Sequence, residues 1–191
     1  MPPLWLQTRI AAAWPPHSKM VVLLRLIKTL FLARFKPKID VFDQTRVSMR
    51  VWPNDLDLNV HANSGRYISF MDIGRIDLVA RMRLLRKTWD LGWRPLVGGS
   101  MITYRKSLLP FEKFIVKSRI LCWDDKWFYF EHIIVNSRGD LSAIATVRGL
   151  IRGPQGNVPP KALAELAGRT DVVSPPIPEY IKQWSEAEDR A

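Results

Sequence analysis

The chain reads as an α+β domain, an antiparallel sheet with one long helix across its concave face. Three observations predict this. Residues 45–51 alternate polar and apolar side chains, as a half-buried strand does. Residues 64–85 switch to a helical repeat of apolar positions. From residue 96 to residue 151, turn signals separate four further strand patterns, and consecutive strands with short connections pair antiparallel. A chain of 191 residues, 47% of them hydrophobic, has room for one such domain with extensions at both ends.

Residues 1–19 have no sustained period, and Met20 is an alternative start. Met20 to Phe35 is apolar and free of Pro and Gly, with Arg25, Lys28, Thr29 and Lys36 on one helical face and Arg34 opposite. Sixteen residues with three internal cations fall short of the ~20 apolar residues of a bilayer span. A basic amphipathic helix in a membrane interface is the preferred reading of 20–35. The alternative is a helix packed on the domain or on a dimer partner. Thr45, Val47, Met49 and Val51 make the inward face of the first strand, and Pro53 stops its pairing. The stripe Tyr67, Met71, Gly74, Leu78, Met82 and Leu85 predicts the long helix, about 30 Å for ~20 residues. Gly74 in the buried stripe, and Gly98-Gly99 in the strand over 96–106, predict close backbone approaches. Phe114, Val116, Ser118, Ile120 and Cys122 face one way in the strand over 113–123. Trp127–Val135 is apolar on both faces, as suits a strand inside the sheet. Leu141, Ala143, Ala145, Val147, Gly149 and Ile151 supply the last alternating face. Beyond Gly153 the chain reads as loop, a short helix over 161–167 and a loosely held tail from 174. The expected organisation is a basic extension at 1–39, the domain at 40–153 and a C-terminal region at 154–191.

Composition narrows the function. The formal charge is +11, and residues 1–40 hold seven Lys and Arg against Asp40 alone. Such a balance suits nucleic acid, an anionic lipid surface or a phosphorylated ligand alike. No nucleic-acid-binding motif accompanies it, so no nucleic-acid partner is expected. A single cysteine, Cys122, excludes an internal disulfide and fits a reducing compartment. His17, His61 and His132 lack metal-ligand spacing, so no metal or other cofactor is expected. The expected location is cytoplasmic, peripheral to a membrane if the 20–35 helix is interfacial.

Chemistry concentrates at the strand-to-helix junction, in Trp52-Pro53-Asn54-Asp55-Leu56-Asp57-Leu58-Asn59-Val60-His61-Ala62-Asn63-Ser64-Gly65-Arg66-Tyr67. In an extended segment Asp57, Asn59 and His61 share a face. The junction can aim them at the helix N-terminus, whose free N–H groups and positive dipole end suit a developing oxyanion. A carboxylate beside those donors can act as nucleophile or as base on water. Plainer roles stand beside these: Asp57 binding a turn N–H, His61 as a structural histidine, Asn63 as a helix cap, and Cys122 and His132 as core.

The run from Asp55 to Tyr67 resembles the D-x-D-x-x-x-H-x-N-N-x-x-Y signature of hotdog-fold thioesterases of the 4-hydroxybenzoyl-CoA thioesterase type. Tyr67…Asp72-Ile73-Gly74-Arg75 is similar to that family's helix segment. Tyr104-Arg105-Lys106-Ser107-Leu108-Leu109-Pro110-Phe111-Glu112 and the run Leu121–Glu131 look like the thioesterase superfamily member six subgroup. The usual second Asn after the histidine is Ser64 here. The resemblance spans about residues 40–153 and implies a hotdog fold that works as a homodimer or a dimer of dimers. It implies that Asp57 is the catalytic carboxylate, supported by Asn59 and His61. It further implies substrate contacts by Asn63, Ser64, Gly65, Tyr67 and Asp72. The implied reaction is acyl-CoA hydrolysis to free acid and CoA, with Arg105 and Lys106 as candidates for the CoA phosphates. The alternative is a catalytically weak, membrane-associated acyl-lipid-binding or scaffold protein of the same fold.

Overall fold

The structure is a computed structural model in which residues 16–190 are described. The sheet is antiparallel throughout. Its strands are β1 (Thr45–Arg50), β2 (Arg94–Tyr104), β3 (Lys113–Trp123), β4 (Phe128–Asn136) and β5 (Leu141–Gly153), in spatial order β1-β3-β4-β5-β2. A three-residue strand, β6 (Gly156–Val158), pairs with β5 inside a segment that reads as loop in the sequence. The expected inward faces are found. Thr45, Val47 and Met49 are buried in β1, as are Phe114, Val116, Ser118, Ile120 and Cys122 in β3.

The first helix, α1 (Pro16–Phe35), packs along the second, α2 (Ser64–Arg81), which carries the central stripe. Tyr67, Met71, Gly74, Leu78 and Met82 are buried as the stripe predicts. Leu85 is not, at 37% exposure. The helix ends at Arg81 because Arg83 takes a left-handed conformation (φ 63°), and Leu85 opens a separate helix, α3 (Leu85–Asp90). Gly74 sits where α2 meets the sheet, and a Cβ there would lie 2.3 Å from Ser118 Oγ. Gly98 likewise admits the ring of Trp127, which a Cβ would meet at 2.4 Å.

Two core clusters divide the helix. One joins its N-terminal half to β1 and β3 through Tyr67, Phe70, Met71, Val47, Phe114 and Val116. The other joins its C-terminal half to Ile120, Trp123, Phe128, Ile151 and Leu163. Leu163 lies on α4 (Pro160–Leu166). The tail, expected to be loosely held, forms α5 (Glu179–Asp189) against the sheet. Ile181 is fully buried beside Cys122 and Tyr129. Arg148 lies between the rings of Trp127 and Trp184 and pairs with Glu188 (3.1 Å) and Asp189 (2.9 Å).

The placement of α1 reverses the usual orientation of an amphipathic helix. Its polar residues Arg25 and Thr29 are buried against the domain, while Leu23, Leu24, Ile27, Phe31 and Phe35 are more than half exposed. The inward polar side is satisfied by charge: Lys36 lies 3.3 Å from the buried carboxylate of Asp77. Arg83 donates to the carbonyls of Ala33 (3.0 Å) and Lys36 (2.8 Å), capping the end of α1.

Candidate active site

After β1 the chain turns through a short 3-10 helix, Pro53–Asp55, and the two carboxylates of the Asp55-Leu56-Asp57 run part company. Asp55 is buried and committed. It accepts the Trp52 N–H (2.8 Å) and both terminal nitrogens of Arg25 (2.9 and 2.5 Å). Arg25 also donates to the Arg50 carbonyl (2.7 Å), so α1, β1 and the loop are tied at one point. A buried, bidentate pair of this kind is strongly destabilising to break, because a lone charge is left behind.

Asp57 is half-buried and lightly held. Residues 57–61 form a tight turn rather than an extended segment: Asp57 N–H donates to the His61 carbonyl (2.9 Å) and Val60 is left-handed (φ 58°). Asp57 Oδ1 accepts the N–H groups of Asn59 (2.9 Å) and His61 (3.5 Å). Among the described residues, Oδ2 of Asp57 has no hydrogen-bond partner, and neither do the side chains of Asn59 and His61. The three side chains therefore share one turn without the common extended face that i, i+2, i+4 spacing implies. Asn59 is exposed and His61 half-buried.

Asn63 is the N-cap of α2, its Oδ1 accepting the Gly65 N–H (2.9 Å). Among the described residues the Ser64 N–H has no acceptor. Tyr67, one turn on, accepts the Leu108 N–H (3.2 Å), which leaves its own proton free to donate. Burial pushes the Tyr67 hydroxyl above its ordinary value, offset in part by the Leu108 N–H, and the charges of Glu112 and Asp57 add to the rise. Tyr104, at the end of β2, reaches the same helix end and donates to the Ser64 carbonyl (3.1 Å). Its ring meets that of Tyr67 edge-on at 5.2 Å.

Asp72 stands apart from this group, two turns along α2, in an ion pair with Arg75. Burial pushes its carboxyl up and Arg75 pulls it back. Arg75 continues inward to His132 Nε2 (3.3 Å), and His132 Nδ1 meets Ser118 Oγ (2.8 Å). Strand register places Ser118 and His132 opposite one another on β3 and β4. Burial, helped by the Arg75 charge, holds the His132 imidazole well below its ordinary pKa and so neutral. Beside the ion pair, a cavity of about 440 Å³ opens between α2, α3 and the sheet. Its walls include Ile76, Trp89, Trp93, Leu96 and Phe130. Sequence reading singled out neither this cavity nor the roles of Arg25, Tyr104 and Arg75. Each depends on partners 30 or more residues away. Among the described residues, no group of three His, Cys, Asp or Glu side chains is placed to hold a metal.

Comparison with known proteins gives this geometry a family. A model described as the thioesterase-like superfamily matches residues 51–185, which takes in the loop, α2 and the whole sheet after β1. The chain belongs to the thioesterase-like superfamily. As a member of that superfamily it is a thioester hydrolase, and its curled antiparallel sheet on a central helix is the hotdog fold. Among its relatives is Protein THEM6 of Xenopus laevis, 35% identical over 159 residues, covering 82% of this chain and 75% of that one. Another is a probable thioesterase of Saccharomyces cerevisiae, YBR096W, 25% identical over 158 residues, covering 75% and 68%. The DHNA-CoA thioesterase of Staphylococcus aureus shares the fold, with a TM-score of 0.58 at 15% identity, covering 77% of this chain and 89% of that one. The match to the thioesterase-like model continues past the sheet to residue 185, so most of α5 falls within it.

Proposed function

We propose that the protein hydrolyses acyl-CoA thioesters to a free acid and CoA, with Asp57 as the catalytic carboxylate. One observation carries the reading: Asp57 Oδ1 is anchored by the N–H groups of its own turn, while Oδ2 is uncommitted and the carboxylate is close enough to the first turn of α2 for its charge to act on Tyr67. A carboxylate fixed at one oxygen and open at the other is oriented for attack or for taking a proton from water. In the base form of the reaction, water loses a proton to Asp57 as its oxygen bonds to the thioester carbonyl carbon. The carbonyl becomes an oxyanion, and its collapse breaks the C–S bond. The departing CoA thiolate then takes the proton. The Ser64 N–H, with that of Gly65 shared from the Asn63 cap, is the donor set for the oxyanion at the positive end of the helix. His61 and Asn59 flank the carboxylate and orient substrate. Tyr67 stays protonated at neutral pH and supplies a hydroxyl donor.

Arg105 follows Tyr104 directly and is exposed, so it is the favoured contact for CoA phosphate. Lys106 is engaged with Asp140 at 3.2 Å. The working unit is a homodimer joined through β2, an 11-residue edge strand with exposed or half-exposed residues along its whole length. The outward apolar side of α1 rests on a membrane surface, where Lys28, Arg34 and Lys38 meet anionic lipid. What supports this is the exposure of that side together with the cations around it. Among the described residues no helix is long and apolar enough to cross a membrane.

The test is thiol release from a panel of acyl-CoAs by the purified full chain and by Asp57→Asn. The variant is expected to stay folded and lose activity by a factor on the order of 100 or more. Equal rates for the two proteins across the panel would overturn the assignment.

A further inference from the structure

We infer that the cavity between α2, α3 and the sheet is a chamber for the far end of a long, unbranched acyl chain. The inference rests on the hydrolytic reading of the Asp57 loop and names the substrate class of that site. Helix α2 and strand β2 lie across the cavity from one another and run in opposite directions. Tyr104 of β2 touches Ser64 at the start of α2, and Leu96 and Val97 of β2 line the cavity next to Ile76 and Val79 of α2. Gly65, Ile68, Asp72, Ile76 and Val79 fall on one helical face by their spacing. That face leads from the loop to the cavity, and Ile68 along it is 40% exposed. On this placement a chain whose thioester sits at the α2 N-terminus runs along this face, over Ile68 and past Asp72, into the cavity.

The distances set the chain length. Asp72, the cavity wall nearest the loop, lies eight residues from Ser64, about 12 Å at 1.5 Å per residue. Val79, near the far end, lies about 22 Å from it on the same scale. An extended chain advances roughly 1.3 Å per carbon, for carbon–carbon bonds of ~1.5 Å. About nine carbons are thus needed to reach the cavity, and about seventeen to cross it. The cavity, about 440 Å³, is within the range of ordinary ligand sites. Apart from Thr88, its walls beyond the Asp72–Arg75 pair are apolar and aromatic, with Trp89 84% exposed at its edge. A short acyl group stops at the ion pair and gains nothing from these walls. A long one passes the pair and buries its further methylenes against Phe130 and Trp93.

Two measurements on the full chain test this. The first compares kcat/KM for palmitoyl-CoA and octanoyl-CoA in wild type, in Ile76→Trp and in Thr88→Phe, which fill the cavity from α2 and from α3. The ratio is expected to favour palmitoyl-CoA in wild type and to fall by a factor on the order of ten or more in each folded variant. The second follows binding of cis-parinaric acid, a fluorescent fatty acid, to wild type, to Asp57→Asn and to the two filling variants. Wild type and Asp57→Asn are expected to bind it and to release it to palmitate but not to octanoate, and the filling variants to bind it more weakly. A ratio unmoved by both fillings, with hydrolysis intact, would overturn the chamber and leave the hydrolytic reading standing. Binding that is sensitive to the fillings, without thiol release from any acyl-CoA, would support the chamber and sink the hydrolytic reading.

Discussion

At the scale of single residues, the two carboxylates of the Asp55-Leu56-Asp57 run show how neighbours in sequence take opposite tasks. Asp55 is saturated by Arg25 and the Trp52 N–H, so it holds the loop in place. Asp57 keeps an oxygen open. Spacing could not separate them, because the difference comes from Arg25, 30 residues earlier in the chain. The plainer reading of Asp57, as an acceptor for a turn N–H, is true of one oxygen and compatible with chemistry at the other. His132 is a second case. Held neutral by burial, it refuses a proton that the unfolded chain accepts near the ordinary value of 6.5. Its folded pKa is depressed, so its contribution is unchanged above about pH 6.5 and costs stability progressively below it. The urea midpoint should therefore drop between pH 7.5 and pH 5.5. In His132→Asn, part of that acid slope should vanish even if the midpoint at pH 7.5 is lower. An identical slope in the variant would remove His132 as its source.

At the scale of elements, alternation located β1 and β3 because one face of each meets the core and the other is polar. Strand β5 was harder to read. Ser142, Thr146 and Arg148 are buried on what alternation makes the outer face, since α5 covers part of it. That cover was invisible in a Pro-rich, polar tail, whose order rests on Ile181, Trp184 and the Arg148 ion pairs. Helix α1 was legible as amphipathic, but not the side it turns inward. Turning Arg25 and Lys36 toward the domain is favourable only because Asp55 and Asp77 wait there, and this frees the apolar side. The full chain should co-sediment with vesicles containing phosphatidylserine and only weakly with pure phosphatidylcholine vesicles. Replacing Leu24, Ile27 and Phe31 together by Ser should abolish the binding while leaving thiol release in solution intact. Retention of full binding by that variant would exclude this side of α1 as the contact.

At the scale of the whole molecule, β2 is the element left unfinished among the described residues. A long strand with an unpaired edge invites pairing with another chain, and apolar residues such as Leu96, Val97 and Met101 increase the pull. Met101→Glu should convert a dimer into a monomer by light scattering, and thiol release should fall with it, because β2 forms one bank of the acyl path. A monomeric wild type would refute the dimer reading. The long helix, the strand order in sequence and the polar loop between them were determined by sequence alone. They follow from local periodicity and from Pro and Gly signals that act within a few residues. Tertiary structure alone decided which carboxylate is free, which side of α1 faces out, where the long helix stops and where the apolar chamber lies. Each of these depends on the desolvation and pairing of groups far apart in the chain, and only the packed fold brings those groups together.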